Sequence, residues 1–365
     1  MLPFSEFDRI LFVAPHPDDE SLGGGGLLQR AFAAQIPVRI LFATNGDNNP
    51  WAQRFCERRW KIGSNERRRW GERRQQEAIA AITALGGSPE CVRFLNFPDL
   101  GITSLLMRGA RELLAIFADE ICAFKPSILV IPTVLDAHPD HSALSVAISL
   151  VLDSAENPAI QVREYLVHRP QVGIRRRPVI LRLSSSEIDR KKNAIRCHET
   201  QMALSANRFM QFARAEEAFY THAAVGVASD ANPILKAQIR EDVLNLVFSA
   251  RRRERLGTEI LLAFRSKADQ MHRWRVRVSM LSGTAQIEDA ISGKRLHDAV
   301  TTWNRSSLTV GVPITGAPGV DALFVKLSSW TLFFDRSGWC KVVLTSDRMR
   351  SPRKRSSVPN LLSLL

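Results

Sequence analysis

The stretch Ile10-Leu11-Phe12-Val13-Ala14 runs without a break into Pro15-His16-Pro17-Asp18-Asp19-Glu20. Continuous apolar residues closed by a turn read as a strand buried on both faces, the pattern of a parallel sheet covered by helices. The same grammar returns far down the chain, where Ile128-Leu129-Val130-Ile131 is followed by Ala137-His138-Pro139-Asp140-His141. In open α/β sheets, ligands bind beyond the carboxyl ends of the strands. Two imidazole- and carboxylate-rich clusters at such ends would converge, and their residue types suit a divalent transition metal.

Outward from these runs, residues 1–228 alternate apolar strand-like runs with helical patterns. The strand candidates are 10–14, 38–44, 92–97, 128–133, 163–168 and 179–183. Repeated βαβ units of this kind predict an α/β domain with a mostly parallel sheet and helices on both faces. Residues 233–264 read as helical, so 229–268 is expected to be a helical linker. Beyond it Trp274, Val276, Val278 and Met280 alternate with Arg273, Arg275 and Arg277, and the period of two recurs over 308–314 and 323–327. Residues 330–334 and 339–344 read as a hairpin around Asp335-Arg336-Ser337-Gly338. A smaller antiparallel, sandwich-like β module is therefore expected over 269–348. The last residues, 349–365, form a basic tail of disordered composition.

The chain carries 50 Lys+Arg against 37 Asp+Glu, a formal charge of +13, which favours anionic partners. Residues 54–74 alone hold nine bases and three acids, interleaved with Trp60 and Trp70. No apolar run is long enough for a membrane span, and no secretory signal is visible. Five scattered cysteines without a Cys-x-x-Cys pair imply reduced thiols and a cytoplasmic setting. Peripheral contact with the anionic face of the inner membrane is compatible with the charge.

A catalytic zinc takes three protein ligands and leaves a position for water. His16, Asp19 and His141 are the best trio. His138 and His141 share one helical face, with Pro139 suited to the first turn. Asp140 is expected to orient His138. Asp18, left over beside the ion, is the general base for a metal-activated water. His138, as an imidazolium, would stabilise the oxyanion and protonate the leaving amine.

Other features are weaker. Gly23-Gly24-Gly25-Gly26 is not a dinucleotide fingerprint and reads as close helix–sheet packing. Arg74 and Glu77, one turn apart, are either an intrahelical ion pair or include a substrate-binding arginine. The Arg/Trp-rich segment 51–74 follows a strand on the site's edge of the sheet. A lid attracting an anionic substrate fits that place better than nucleic-acid binding, which the reading disfavours. His168, His198, His222, His272 and His297 have no partner spacing and read as ordinary polar residues.

The two histidine clusters resemble those of the LmbE-like (PIG-L) family of zinc-dependent N-deacetylases. Looser matches are Thr44-Asn45-Gly46-Asp47, Arg74-x-x-Glu77, Phe97-Pro98-Asp99 and the later Lys192, His198 and Gln201. The likeness covers roughly residues 8–225 and implies a Rossmann-like α/β fold. It implies one Zn²⁺ per chain on His16, Asp19 and His141, Asp18 as base, His138 and Asp140 assisting, and substrate contacts from Arg74, Asp47 and Asp99. It further implies loss of acetyl from an N-acetylated amino sugar, whose carrier can include phosphate or lipid. The competing readings are a glycosyltransferase with a carboxylate-held Mn²⁺ and a nucleotide-sugar donor, and a glycan- or anionic-surface-binding protein.

Overall fold

The structure, a computed structural model, describes residues 4–154, 160–169, 177–222, 234–240, 242–249, 258–265, 271–314, 322–329, 335 and 338–343. The first sheet has the order β3-β2-β1-β4-β5-β7-β6. Its strands are β1 (Ile10–Ala14), β2 (Val38–Thr44), β3 (Val92–Phe97), β4 (Ile128–Pro132), β5 (Gln161–Tyr165), β6 (Val179–Arg182) and β7 (Glu216–Thr221). The five strands from β3 to β5 are parallel. β7 runs antiparallel to β5, and β6 antiparallel to β7. The mostly parallel α/β architecture expected from the apolar runs is therefore present, with β7 a strand the pattern did not announce.

Among the described residues, eight α-helices connect these strands: α1 (Asp19–Ala33), α2 (Pro50–Glu57), α3 (Ser64–Ala84), α4 (Ile102–Arg108), α5 (Ala110–Phe124), α6 (Pro139–Ser154), α7 (Ser185–Cys197) and α8 (Glu199–Met210). Alternate residues of β1 enter opposite layers, Ile10 and Phe12 with α1 and α7, Leu11 and Val13 with α4, α5 and α6. Both faces are dry, which explains the unbroken apolar runs. The first turn of α1 leaves the sheet where the order reverses between β1 and β4, and α6 starts beside it.

The glycine run lies inside α1 against the sheet. A Cβ on Gly24 would enter the Phe12 ring and one on Gly23 the Tyr165 ring, while Gly26 faces Leu183 and Glu217. Close approach is thus the reason for glycine here, as read from the sequence.

After residue 233 the outcome differs. The helical linker expected over 229–268 is absent from its described part. That part forms β8 (Ile234–Arg240), β9 (Val243–Ser249) and β10 (Thr258–Arg265). Apolar residues at 243, 244, 246, 247 and 248 satisfy a helical and an alternating period at once. The alternation wins, burying Leu244, Leu246 and Phe248, and the β-branched and aromatic content favours it. These strands join β11 (Met271–Arg277), β12 (Gly283–Asp289), β13 (Arg295–Trp303), β14 (Ser307–Pro313), β15 (Ala322–Ser329) and β16 (Cys340–Val343).

Instead of a two-sheet sandwich they make one antiparallel sheet, ordered β16-β15-β10-β11-β12-β13-β14-β9-β8. Its inner face is a single apolar cluster including Trp274, Val276, Val310 and Val325. Met280, expected inward, is exposed, and Arg273, expected outward, is buried. The outward face near Arg273 is covered because Leu261, Ala263, Phe324 and Trp339 pack into the layer of α4, α5 and α6. The hairpin's second strand is β16, whose partner is β15; residues 330–334 and the tail 349–365 lie outside the described residues.

Candidate metal centre

Strand β1 ends at Ala14, and the next turn brings His16 to the sheet edge. Asp18 then stands at φ 142°, a conformation costly for a non-glycine residue, just before the first turn of α1. Beside it, β4 ends at Pro132, and the loop 133–138 leads into α6. β1 and β4 pair in register from Ile10 and Ile128, so both loops emerge side by side.

The trio predicted from sequence comes together. His16 Nδ1 lies 3.2 Å from Asp19 Oδ2, His141 Nε2 lies 3.1 Å from the same oxygen, and the two nitrogens are 3.3 Å apart. A tetrahedral ion with bonds of about 2.0–2.1 Å needs its donors about 3.3–3.4 Å apart. The triangle therefore fits zinc. His16, His138 and His141 also offer one ring nitrogen each within 4.8 Å, so His138 stands next to the trio.

The electrostatics favour a cation at this point. Burial opposes a charge on His16, but Asp140, Asp19 and Asp99 outweigh it and raise its pKa well above the ordinary value. Burial likewise opposes His141, and Asp19 and Asp136 push it up to about 10. Asp19 is held well below the carboxylate range, its burial overcome by His141 and His16. A cage that holds protons on two imidazoles this firmly equally rewards a divalent ion.

The outer carboxylates are arranged differently from expectation. Asp140 does not orient His138. Its Oδ2 lies 3.4 Å from His16 Nε2 and accepts from the Leu100 amide (2.7 Å), while its Oδ1 accepts from Ile102 (3.0 Å). The first turn of α6 points this carboxylate toward β3's loop rather than back along its own helix. Asp99 also backs His16, with Oδ1 3.2 Å from Nε2, and its Oδ2 accepts from the Asn48 amide. It lines the pocket but is largely committed to these partners. Asp47 does not line the pocket, and Asn48 and Asn49 do so in its place.

Asp136, unremarked in the sequence, is the carboxylate behind His141, with Oδ2 3.2 Å from Nδ1. It also accepts from the His138 amide (2.9 Å) and from the Val167 and His168 amides (3.1 Å each). His168, read as ordinary, lies 3.4 Å from Asp136 and also lines the pocket. The only signal for either was position, each just past the end of a central strand. His198 is buried against Glu20 (2.9 Å), supporting the start of α1.

Asp18 is buried, which raises its carboxyl to about 6 against the pull of Arg74. Arg74 Nη2 lies 3.1 Å from Asp18 Oδ2 and donates to Pro17 O, while Nη1 donates to Gly46 O (2.6 Å each). Gly46, at φ 60°, leaves no room for a Cβ beside this guanidinium. Arg74 and Glu77 do not form the intrahelical ion pair, since Glu77 accepts from Thr200 and faces Arg73. Burial, with the charges of His16, His141 and His168, holds His138 well below its usual pKa. Its Nδ1 accepts from the Asp140 amide (3.2 Å). An Nδ1 that accepts leaves Nε2 to carry a ring proton.

These groups open into a cavity of about 180 Å³, walled on the far side by Gln201, Arg208 and Phe212. Among the arginines of 51–74 only Arg74 lines it, so the segment is not a cationic lid over the pocket. The buried lysine supporting α1 is Lys191, which meets Glu217 at 2.6 Å; Lys192 pairs with Asp189 on the surface.

A family model described as PIG-L, GlcNAc-PI de-N-acetylase, matches residues 11–152. The matched stretch is similar to PIG-L domains. That stretch contains every member of the trio, with Asp18, His138 and Asp136. The 1D-myo-inositol 2-acetamido-2-deoxy-alpha-D-glucopyranoside deacetylases of Mycobacterium avium (strain 104) and Mycolicibacterium paratuberculosis are each 34% identical over 92 residues, 24% of this chain. The chain thus spans 28% of the length of those curated relatives. A conserved protein of Thermus thermophilus superposes with a TM-score of 0.43 and 23% identity, over 60% of this chain and 96% of its own. An N,N'-diacetylchitobiose deacetylase of Pyrococcus horikoshii does so with a TM-score of 0.43 and 19% identity, over 59% and 84%.

Proposed function

We propose that this protein is a zinc-dependent hydrolase that removes the acetyl group from an N-acetylated amino sugar. The observation that carries it is the triangle of His16, Asp19 and His141 donor atoms, 3.1–3.3 Å on each edge, with Asp18 beside it in the pocket. The matched PIG-L model and the N-acetylglucosaminyl specificity in the names of the curated relatives support the same substrate class. When bound, zinc supplies Lewis acidity toward water and the acyl carbonyl. Asp18, buried and near neutrality, takes the proton of the attacking water and returns it to the departing amine. His138 donates from Nε2 to the oxygen that gains charge. Arg74 fixes the Asp18 carboxylate, and Asp136 fixes the tautomer of His141.

The imidazole-rich donor set argues against the Mn²⁺ glycosyltransferase reading, which needs oxygen ligands. Action in the cytoplasm on a substrate carrying phosphate or lipid belongs to the same proposal. No helix among the described residues is long and apolar enough to cross a membrane. The test is acetate release from N-acetylglucosamine conjugates, including inositol-linked and chito-oligosaccharide forms, before and after chelation. Chelator-sensitive release restored by zinc, and lost in Asp18→Asn with metal retained, is expected. Release that survives Asp18→Asn overturns the reading.

A further inference from the structure

The surface of α2 takes no part in the chemistry of the pocket, yet it and the turn after it expose three large aromatic side chains. Trp51, Phe55 and Trp60 are 67%, 61% and 81% exposed. Trp51 and Phe55 lie one turn apart on the same face of α2. Arg54 joins the third ring to them: its guanidinium is 5.0 Å from the Trp51 ring centroid and 5.6 Å from that of Trp60, and its Nε donates to Trp60 O (3.0 Å). The three rings are one patch. Leaving them in water forfeits the burial that large aromatics ordinarily gain.

Charge surrounds the patch asymmetrically. Residues 54–74 hold nine bases and three acids. Each of those acids faces an arginine of the same segment: Glu57 with Arg69, Glu66 with Arg59, Glu72 with Arg68. Arg58, Lys61 and Arg67 stay exposed, and none of them forms an ion pair among the described residues. Exposed aromatic rings set among cations have the chemistry of the water–bilayer boundary of an anionic membrane. Single-stranded nucleic acid instead needs a groove that tracks its backbone, and none of the three rings lines the site pocket.

We propose that Trp51, Phe55 and Trp60, with the surrounding basic residues, dock this protein on an anionic lipid bilayer. The same helix and its N-cap rim the metal pocket through Ala52 and Asn49. Docking therefore brings the pocket mouth close to the bilayer surface. Vesicle binding is measured without turnover, so the proposal stands or falls apart from the deacetylase reading.

The test is sedimentation of the full chain with vesicles of phosphatidylcholine alone and of phosphatidylcholine with one-third phosphatidylglycerol. Binding to the anionic vesicles at least tenfold tighter is expected, weakening as salt rises, with a blue-shifted tryptophan emission quenched by brominated lipid. Trp51→Ala/Phe55→Ala/Trp60→Ala should lose at least tenfold of that binding at an unchanged melting temperature. Should that variant fail to fold, Arg58→Glu/Lys61→Glu gives the charge arm, with the same loss expected. Absence of vesicle binding overturns the proposal, as does undiminished binding by the folded triple variant. A patch that quenches with single-stranded oligonucleotide but not with lipid, or one whose removal only turns a dimer into a monomer, overturns it too.

Discussion

Gly338, just before the edge strand of the nine-stranded sheet, abuts Val134 of the loop beneath the metal centre, so closely that a Cβ on Gly338 would overlap the Val134 carbonyl oxygen. Its amide faces Leu135 O (3.4 Å), and the Asp335 amide donates to Ala137 O (2.9 Å). Lys326 pairs with Asp335 and lies over the Trp339 ring. The second sheet thus clamps the backbone that carries Asp136 and His138. Gly338→Ala is expected to destabilise the fold by about 1–3 kcal/mol through overpacking and to lower kcat more than tenfold. Urea denaturation together with acetate-release kinetics checks both. An unchanged kcat would show that the clamp does not reach the site.

Asp136 sits entirely buried with His141 on one side and three backbone amides on the other. Removing its charge should loosen the orientation of His141, and outer partners of this kind are worth about 10–100-fold in metal affinity. Asp136→Asn should weaken zinc binding by that factor in competition with a chromogenic chelator. Asp18→Asn, by contrast, should leave zinc at about one equivalent.

Lys191 donates to Leu22 O (3.0 Å) and to Glu217, whose oxygens also hold the Gly26 and Leu27 amides (2.6 and 3.1 Å). Both charges are buried. Breaking such a pair from one side costs about 3–5 kcal/mol, because the remaining charge is stranded. Lys191→Met should lose that much in chemical unfolding, whereas Lys192→Met on the same helix should change stability by less than about 0.5 kcal/mol.

The hydrogen bond from Arg30 holds the carboxyl of Glu187 down to about 2, with Arg30 Nε 2.5 Å from Glu187 Oε1. A carboxyl depressed in the folded state stabilises that state above its unfolded value of about 4.3. This support fades as the pH falls from there toward about 2. Glu187→Gln should therefore cost about 1 kcal/mol at pH 7, a figure kept small because the pair is solvent-screened. The difference from wild type should shrink by pH 3. Denaturant titrations at the two pH values decide it, and a gap of equal size at both would refute the assignment.

Much of the α/β sheet was legible because its strands are dry on both sides, so Ile10–Ala14 and Ile128–Pro132 could only be read one way. His16, Asp19 and His141 were legible from their place at those strand ends. Asp136 and His168 were not, since their meaning comes from the ring nitrogens they face rather than from any spacing. Asp140 reads from sequence as the partner of His138 in its own cluster, but α6 turns it toward His16 instead. The strands over 234–265 were missed for a different reason. Their apolar residues fit two periods, and only pairing with neighbours such as β14 and β15 decides between them.

The four glycines of α1 carry a wider implication. Tyr165, Phe12 and Leu183 fill the volume that side chains on Gly23, Gly24 and Gly26 would take, the Lys191 stem lies 3.2 Å from where a Cβ on Gly25 would sit, and Asp18 and Asp19 sit at the front end of the same rigid rod. A single added methyl would lever that rod off its bed and drag both acids from the imidazoles. The geometry of this pocket is thus set, at a distance, by carbon atoms the polypeptide leaves out.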